Sequence, residues 1–160
     1  MAMHAPEFKV RLSDKGVVTF LDLDNFKHCV EEKNWSKYTP NPITRFLTVT
    51  IEQYIRKYRA LSFWGLDQKR GTEEAILFFQ YEKSFVLNLI DDLRKDIMNL
   101  AQQYNASTSL SAGLAEGKIP KIKNIKNHSK SEFKKDPTIF LAYRALKKAK
   151  KQGGNSIVTY

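Results

Sequence analysis

An apolar strand that runs into two alternating aspartates constrains the fold more than any other feature of this chain. Residues 17–21 are β-branched, aromatic or leucine and predict a β-strand, which continues through Asp22 and Asp24. Because successive side chains of a strand point to opposite faces, the two aspartates share one face, and Leu21 and Leu23 share the other. We therefore expect the leucines to pack beneath helices and the aspartates to face an open side of a sheet.

Helices and strands alternate along the rest of the sequence. Apolar residues at helical spacing predict helices over residues 42–58 and 84–104. A further helix is expected to start over residues 26–32, and Asp136 as cap with Pro137 at the first position predicts one over residues 136–152. Short apolar runs predict strands over residues 60–65, 75–79, 107–115 and 156–160. The order is β-α-β-β-α-β followed by a helix and a strand, which is typical of an α+β ferredoxin-like fold with an addition. We expect one domain over residues 1–160, with helices on one face of the sheet and an open second face.

The N-terminus and the cysteine content bear on where the protein works. Residues 1–6 have neither a basic start nor an apolar core, so no signal peptide is predicted, and we expect them to be disordered or foreign to the domain. No apolar run approaches the roughly 20 residues that cross a bilayer, so membrane insertion is not expected. Cys29 is the only cysteine, which excludes an intrachain disulfide and fits a cytoplasmic protein.

The chain is strongly basic, with a net charge of +10. Such a charge favours anionic partners, namely nucleic acid, nucleotides or lipid head groups. Much of the excess lies in residues 117–135, where lysines are frequent and Glu132 is the single acid. From the sequence alone this segment is either a solvated loop or a surface that attracts phosphate.

Two acidic pairs stand at strand ends that the predicted topology makes neighbours: Asp22 with Asp24, and Glu73 with Glu74 in the hairpin. Strand alternation lets only one of the two glutamates face the aspartates squarely. Two carboxylates about 4 Å apart repel by roughly 4 kcal/mol at an effective dielectric of about 20. The cluster therefore suits two Mg²⁺ or Mn²⁺ ions, which can activate a hydroxyl and steady a pyrophosphate leaving group. The alternative is that the aspartates merely end a strand and the glutamates are solvated.

Cations lie close to these acids. Lys27 follows the aspartates directly, and lysines crowd the end of the last predicted helix, Lys150 among them. These side chains suit a phosphate-binding site. Favourable charge at a helix C-terminus explains one or two of the helix lysines equally well.

Four short motifs together resemble the GGDEF-type nucleotide cyclases. Residues 21–27 (Leu-Asp-Leu-Asp-Asn-Phe-Lys) resemble their first motif, and residues 71–74 (Gly-Thr-Glu-Glu) stand where their Gly-Gly-Asp/Glu-Glu turn lies. Residues 109–115 resemble their Ser-x-Gly strand, and residues 145–155 resemble their C-terminal helix with its Gly-Arg-Asn end. The motifs occur in order over residues 17–160, so the resemblance covers nearly the whole chain.

The resemblance implies a role for each matching residue. Asp22 and Glu73 would bind metal through their carboxylates, and Leu23 through its carbonyl. Glu74 would help to deprotonate the attacking hydroxyl. The bound nucleotide would be contacted by Asn25, Phe26, Lys27, Gly71, Thr72 and Lys150.

Departures from the pattern narrow the implied activity. Val30 stands where diguanylate cyclases carry an asparagine that reads guanine, so ATP is favoured over GTP. Gly154 replaces an arginine that contacts phosphate, Tyr143 replaces an aspartate, and Thr72 replaces the second glycine of the turn. A guanine-blind domain of this kind is similar to the minimal CRISPR polymerases of bacterial anti-phage systems. That similarity implies a cyclic di- or oligonucleotide, often made from ATP, that acts on a separate effector protein. Because the reaction joins two nucleotides, a homodimer is also implied.

Two other functions are compatible with the sequence. Thr72, Tyr143 and Gly154 suit a degenerate site that binds a nucleotide without turnover. The positive charge and the aromatic residues suit a nucleic-acid-binding ferredoxin-like domain that stacks bases on an open sheet. Acids at the strand ends would repel a phosphate chain, so the nucleic-acid function is not favoured.

Overall fold

The computed structural model describes residues 14–122 and 128–160. Residues 1–6, for which the sequence predicts disorder, lie outside the described residues. So do Lys123 and Lys126 of the lysine-rich segment.

The described residues form one α+β unit with a single five-stranded sheet in the order β2-β3-β1-β4-β5. The strands pair antiparallel except for β4 with β5, which are parallel. This arrangement confirms the predicted fold class and adds one short helix, α4. In chain order the elements are β1 (Lys15–Asp24), α1 (Phe26–Lys33), α2 (Pro42–Tyr58), β2 (Leu61–Trp64), β3 (Glu74–Phe79), α3 (Lys83–Gln103), β4 (Ser109–Lys118), α4 (Lys130–Phe133), α5 (Pro137–Lys151) and β5 (Ile157–Thr159).

Side-chain caps fix where α2 and α5 begin. The Asn41 side chain accepts hydrogen bonds from the N–H groups of Ile43 and Thr44, both at 3.0 Å, ahead of α2. The Asp136 carboxylate does the same at the start of α5. In each helix a proline occupies the first turn, where its missing N–H costs no hydrogen bond.

One face of the sheet packs against α1, α2 and α3. Leu21 and Leu23 lie on this face within the larger apolar core, as the alternation of β1 predicts. Residues from α2 and α3 complete the core, among them Leu47, Ile51 and Ile90.

The second face of the sheet is covered rather than open, so this part of the sequence prediction is wrong. Apolar side chains of β1 and β3, including Phe20 and Phe78, form a second core with Phe133 of α4 and with Leu146 of α5. The physical reason is that the strands carry apolar residues on both faces, and burying a large side chain contributes about 1.5–3 kcal/mol. Because these aromatics are buried, they are unavailable to stack bases, which removes the sheet surface that the nucleic-acid function requires.

Helix α5 lies so close to β4 that a glycine is needed between them. A Cβ atom on Gly113 would lie 2.0 Å from the carbonyl oxygen of Ala142 and 2.3 Å from the backbone nitrogen of Leu146. Gly117, four residues along the same strand, would instead meet the Thr138 side chain at 2.5 Å. Backbone cannot rotate away from a clash, whereas a threonine side chain can.

We expect Gly113→Ala to lower the free energy of unfolding by about 3 kcal/mol, at the upper end of the usual cost of overpacking. Gly117→Ala, the matched control, should cost about 1 kcal/mol or less. Urea unfolding of both variants measures the difference. An equal loss in the two variants would contradict the backbone contact that we assign to Gly113.

Candidate active site at the end of strand β1

The carboxylates of Asp22 and Glu74 come together across the sheet. Strand β3 places Glu74 directly opposite Asp22 in the antiparallel register. Glu73, which precedes β3, is still bonded to β1, because its carbonyl accepts a 3.0 Å hydrogen bond from the N–H of Leu23. Its side chain is exposed and lines a neighbouring cavity. Of the two glutamates, Glu74 therefore shares a face with Asp22, and Glu73 lies beside it.

Lys150 of α5 brings an ammonium group to the same strand end. Its Nζ atom lies 3.1 Å from Asp22 Oδ2, 2.9 Å from Asp24 Oδ1 and 3.2 Å from the carbonyl oxygen of Leu23. Three oxygen atoms of one strand thus surround a single positive charge. The second helix layer, which the sequence did not predict over this face, is what carries the lysine there.

Asp24 is the most heavily hydrogen-bonded carboxylate of the site. It accepts bonds from the hydroxyls of Ser109 at 2.6 Å and Ser111 at 2.8 Å, both on β4. The backbone N–H of Asn155 donates to it at 2.8 Å. Its carbonyl also accepts a 2.7 Å bond from Thr108. Asp24 therefore ties the end of β1 to β4 and to the turn after α5.

The same turn explains the glycine at position 154. Gly154 has a φ of +78°, and a Cβ atom there would lie 2.9 Å from Asp24 Oδ2. An arginine at this position, as in the cyclase motif, would need both a strained backbone and a displaced Asp24. The close packing of this turn against Asp24 therefore accounts for glycine rather than arginine at position 154.

The two aspartates have opposite electrostatic environments. Burial raises the pKa of Asp22, and the positive charge of Lys150 only partly opposes this effect. Burial also acts to raise the pKa of Asp24, but the hydrogen bonds from Ser109, Asn155, Lys150 and Ser111 outweigh it, so that pKa is lowered. The ionised carboxylate of Asp24 is thus stabilised by the fold, whereas ionisation of Asp22 costs folding free energy.

A second lysine neutralises the opposite carboxylate. Lys130 of α4 lies with Nζ 2.9 Å from Glu74 Oε1. The same ammonium group lies 5.5 Å from the centre of the Trp64 ring. The two carboxylates therefore lie next to each other, and an ammonium group flanks each of them on the outside, in the order Lys130, Glu74, Asp22, Lys150.

Helix α1 begins immediately after these acids. Asn25 adopts a left-handed conformation with a φ of 53°, and no side chain caps the helix. Phe26 is buried in the larger core, whereas Asn25 and Lys27 are exposed. The start of α1 thus offers uncapped backbone N–H groups and a lysine, which is the usual arrangement for binding an anion.

A cavity of about 410 Å³ adjoins the start of α1. A volume of this size suits a nucleobase with its sugar. Partial burial raises the pKa of Glu73 on its wall, with the charges of Glu74 and Asp67 adding to the effect. The lining residues come from α1, the loop to α2, the start of α2 and the β2–β3 hairpin: Phe26, Lys27, Val30, Ser36, Lys37, Tyr38, Thr39, Asn41, Thr44, Arg70 and Glu73.

Gly71 and Thr72 hold the β2–β3 turn against α2. The Thr72 hydroxyl lies 2.7 Å from that of Thr48, and the Thr72 N–H donates to the same Thr48 oxygen at 3.0 Å. Thr72 is fully buried. Its side chain is therefore turned into α2, and contact of this turn with a phosphate remains a prediction.

The oxygen atoms around Lys150 suit a hard divalent cation. Two carboxylates and a carbonyl already surround one positive charge, and Mg²⁺ prefers such oxygen ligands. Within residues 14–122 and 128–160, no group of three or more His, Cys, Asp or Glu side chains is placed to hold a metal ion. An ion bound by Asp22 would therefore take its remaining ligands from the Leu23 carbonyl, from Glu73 or Glu74 and from a bound phosphate.

Comparison with known proteins points to one fold. No protein-family model matches the sequence, and no curated protein sequence matches it. Solved structures do match, among them three that contain GGDEF-type domains. The active GGEEF domain of a diguanylate cyclase from Vibrio cholerae superposes with a TM-score of 0.60 at 18% identity over 92% of this chain and 83% of that one. The coiled-coil and GGDEF domain of DgcB from Caulobacter crescentus, solved with c-di-GMP, superposes with a TM-score of 0.59 at 16% identity over 92% and 70%.

The third match is the diguanylate cyclase SiaD from Pseudomonas aeruginosa, solved with its activator SiaC. It has a TM-score of 0.53 and 20% identity, and the match covers 96% of this chain but 53% of SiaD. All three share the sheet and helix arrangement described above. The chain has the GGDEF fold. Within the described ranges, none of its helices combines the length and the apolar character that a bilayer span requires.

Sequence reasoning missed several residues at the acidic end of this GGDEF fold. Ser109 and Ser111 could have been predicted, because strand alternation places both side chains on one face of β4, which neighbours β1. Asn155 had only its place in the C-terminal motif. No sequence feature indicated a role for Lys130, since it is one of many lysines in the 117–135 segment and its contact with Glu74 is set by tertiary packing.

Proposed function

We propose that the protein is a metal-dependent nucleotidyltransferase that makes a cyclic di- or oligonucleotide, with ATP as the preferred substrate. The observation that carries this proposal is the enclosure of one positive charge by Asp22, Asp24 and the Leu23 carbonyl. That cation-binding strand end adjoins an uncapped helix start and a cavity of nucleoside size. The shared fold with nucleotide cyclases supports the same reaction class.

In the proposed reaction a ribose hydroxyl oxygen attacks the α-phosphorus of a nucleoside triphosphate. The bond from that phosphorus to the α–β bridging oxygen breaks, and pyrophosphate leaves with the bonding electrons. Bound Mg²⁺ or Mn²⁺, in one or two ions, would polarise the phosphate and lower the pKa of the hydroxyl. Asp22, the Leu23 carbonyl and Glu73 would hold the metal, and Glu74 would accept the hydroxyl proton.

The start of α1 would bind the triphosphate. The first backbone N–H groups of α1, including that of Phe26, have no partner within the helix, and no side chain caps them. Lys27 adds an exposed ammonium group, and Lys150 would transfer from the carboxylates to the phosphates. Gly71 and Thr72 would shape the turn on the opposite side.

Val30 on the cavity wall supports the proposed preference for adenine over guanine. Guanine offers N–H donors at N1 and N2 and so needs an acceptor, but Val30 presents only methyl groups. The side-chain oxygen Oδ1 of Asn41 already accepts hydrogen bonds from two backbone N–H groups of α2. A guanine whose N1 and N2 groups face Val30 and Asn41 would leave those donors unpaired, at a cost of about 1–3 kcal/mol each.

Further parts of the proposal concern the assembly and its setting. Joining two nucleotides requires a second one, which a facing copy of the chain would supply in a homodimer. The buried, unpaired thiol of Cys29 fits a reducing cytoplasm. The product would act on a separate effector protein in anti-phage defence, as the resemblance to minimal CRISPR polymerases implies.

The proposal predicts turnover of ATP in the presence of Mg²⁺ or Mn²⁺. Incubation with each nucleoside triphosphate separately, followed by mass spectrometry, should show a cyclic product from ATP and at least about tenfold less from GTP, because unpaired guanine donors weaken binding. EDTA should stop the reaction. If all four nucleotides are recovered intact with either metal, the transferase proposal is wrong.

A nucleotide-binding module without turnover is the second candidate. It is favoured by the placement of Glu73 beside, rather than opposite, Asp22 and by the lack of a three-ligand side-chain cluster in the described part of the chain. Saturable ATP binding measured by calorimetry, with no product after long incubation, would support it. Metal-dependent product formation that disappears in Glu73→Ala would exclude it.

A further inference from the structure

Helix α4 brings part of the lysine-rich segment to the acidic end of the sheet. Its first residue, Lys130, makes the 2.9 Å ion pair with Glu74 and lies over the ring of Trp64. The proposed reaction uses Glu74 and Lys150 but gives Lys130 no role. Lys130 nevertheless neutralises the charge of Glu74, the carboxylate to which the proposed reaction assigns the hydroxyl proton.

The position of Lys130 is fixed by the packing of its helix. Phe133, at the other end of α4, is 1% exposed within the second core. Ser129 and Glu132 cap the helix reciprocally. The Lys130 side chain itself is 40% exposed, so its ammonium group can move while its backbone stays in place.

Lys130 and Lys150 are symmetric in their relation to the two carboxylates. Each lysine comes from the helix layer over the second face, and each neutralises one member of the Asp22–Glu74 pair. A divalent cation bound by Asp22 would supply the positive charge that both lysines now supply. The two lysines would then no longer be needed to neutralise the carboxylates. The nearest anion left for them to bind would be the triphosphate bound to that cation.

We propose that Lys130 is a further triphosphate-binding residue, which pairs with Glu74 until a divalent cation takes over the neutralisation of that carboxylate. The inference rests on the proposed function, since it takes a metal-bound triphosphate as the ligand. It has one thermodynamic consequence. Lys130 competes with metal in the nucleotide-free protein but helps to bind nucleotide afterwards, so metal and triphosphate strengthen each other's binding reciprocally.

Lys130→Met tests the proposal because it separates these two effects by sign. Removing the competing ammonium should tighten Mn²⁺ binding to the nucleotide-free protein about threefold, as expected for a partly exposed ion pair. Removing the phosphate contact should weaken binding of a non-hydrolysable ATP analogue with Mg²⁺ about tenfold. AMP, which lacks the β- and γ-phosphates, should bind equally well to both proteins. Electron paramagnetic resonance measures the Mn²⁺ affinity, and calorimetry measures the nucleotide affinities.

Lys134→Met is the matched control, because Lys134 borders the same helix and also lies over an aromatic ring, that of Tyr143, at 4.0 Å. It should change neither affinity. Lys130→Arg, which keeps the charge, should retain triphosphate binding within about threefold. This variant separates loss of charge from loss of folding, which circular dichroism also checks.

Unchanged or weaker Mn²⁺ binding in Lys130→Met, or an unchanged affinity for the triphosphate analogue, would overturn the proposal. So would equal effects of Lys130→Met and Lys134→Met. The proposed function can fail independently of this result. If Lys130→Met changes the two affinities in the expected directions but the wild-type protein forms no product, the role of Lys130 is supported and catalysis is contradicted.

Discussion

Asp22→Asn is expected to lower the rate of product formation by at least about 1,000-fold. In the proposed mechanism the Asp22 carboxylate contributes negative charge and an oxygen ligand to the metal, and metal stabilisation of the transition state is worth several kcal/mol. Each 1.36 kcal/mol corresponds to about tenfold in rate. Asparagine has the same shape but no charge, so the loss measures the electrostatic contribution alone. Steady-state assays with ATP and Mg²⁺, and Mn²⁺ titration without nucleotide, should both show the defect.

The same variant should fold as well as the wild type or better. Burial raises the pKa of Asp22 in the folded protein above its ordinary value of 3.8. A raised pKa means that the ionised carboxylate opposes folding at any pH above the folded pKa, and that this opposition fades as the pH falls through it. At neutral pH, Asp22→Asn removes the opposition. A variant with unimpaired activity would refute the role of Asp22, and one that is simply unfolded would refute its electrostatic assignment.

Much of this site follows from strand alternation. The sequence predicted β1, placed Asp22 and Asp24 on one face, and placed Leu21 and Leu23 in a core, and the structure has all of these. Hairpin topology predicted that the Glu73–Glu74 pair lies next to β1. These inferences succeed because a period of two residues and an antiparallel turn are local properties of the chain.

The second helix layer was not predicted, because its cause is not local. Phe20 and Phe78 lie on the face assigned to solvent, and an aromatic on a strand fits either an open sheet or a covered one. What decides between them is α5, which approaches β4 closely at Gly113 and reaches the strand end with Lys150. Lys130 could not be predicted either, since α4 is only four residues long and has no recognisable period.

Asp24→Asn is expected to lower the free energy of unfolding by about 2–4 kcal/mol, although it removes the charge and keeps the shape of the side chain just as Asp22→Asn does. A hydrogen bond to a charged group contributes about 1.5–3 kcal/mol, and Asp24 accepts several. The amide of an asparagine would also point N–H donors at Lys150 or at the N–H of Asn155, which are themselves donors. Urea unfolding of both variants at neutral pH gives the comparison directly.

The pH dependence of stability provides an independent check on the same pair. Hydrogen bonds lower the pKa of Asp24 in the folded protein, so its stabilising contribution is fully present above its ordinary value of 3.8 and is lost as the pH falls through the folded pKa. The difference in stability between the wild type and Asp24→Asn should therefore shrink below about pH 4. For Asp22→Asn the difference has the opposite sign and should shrink earlier, as the pH falls through the raised pKa. Equal losses of stability in the two variants would mean that Asp24 does not hold the turn after α5, the helix that carries Lys150.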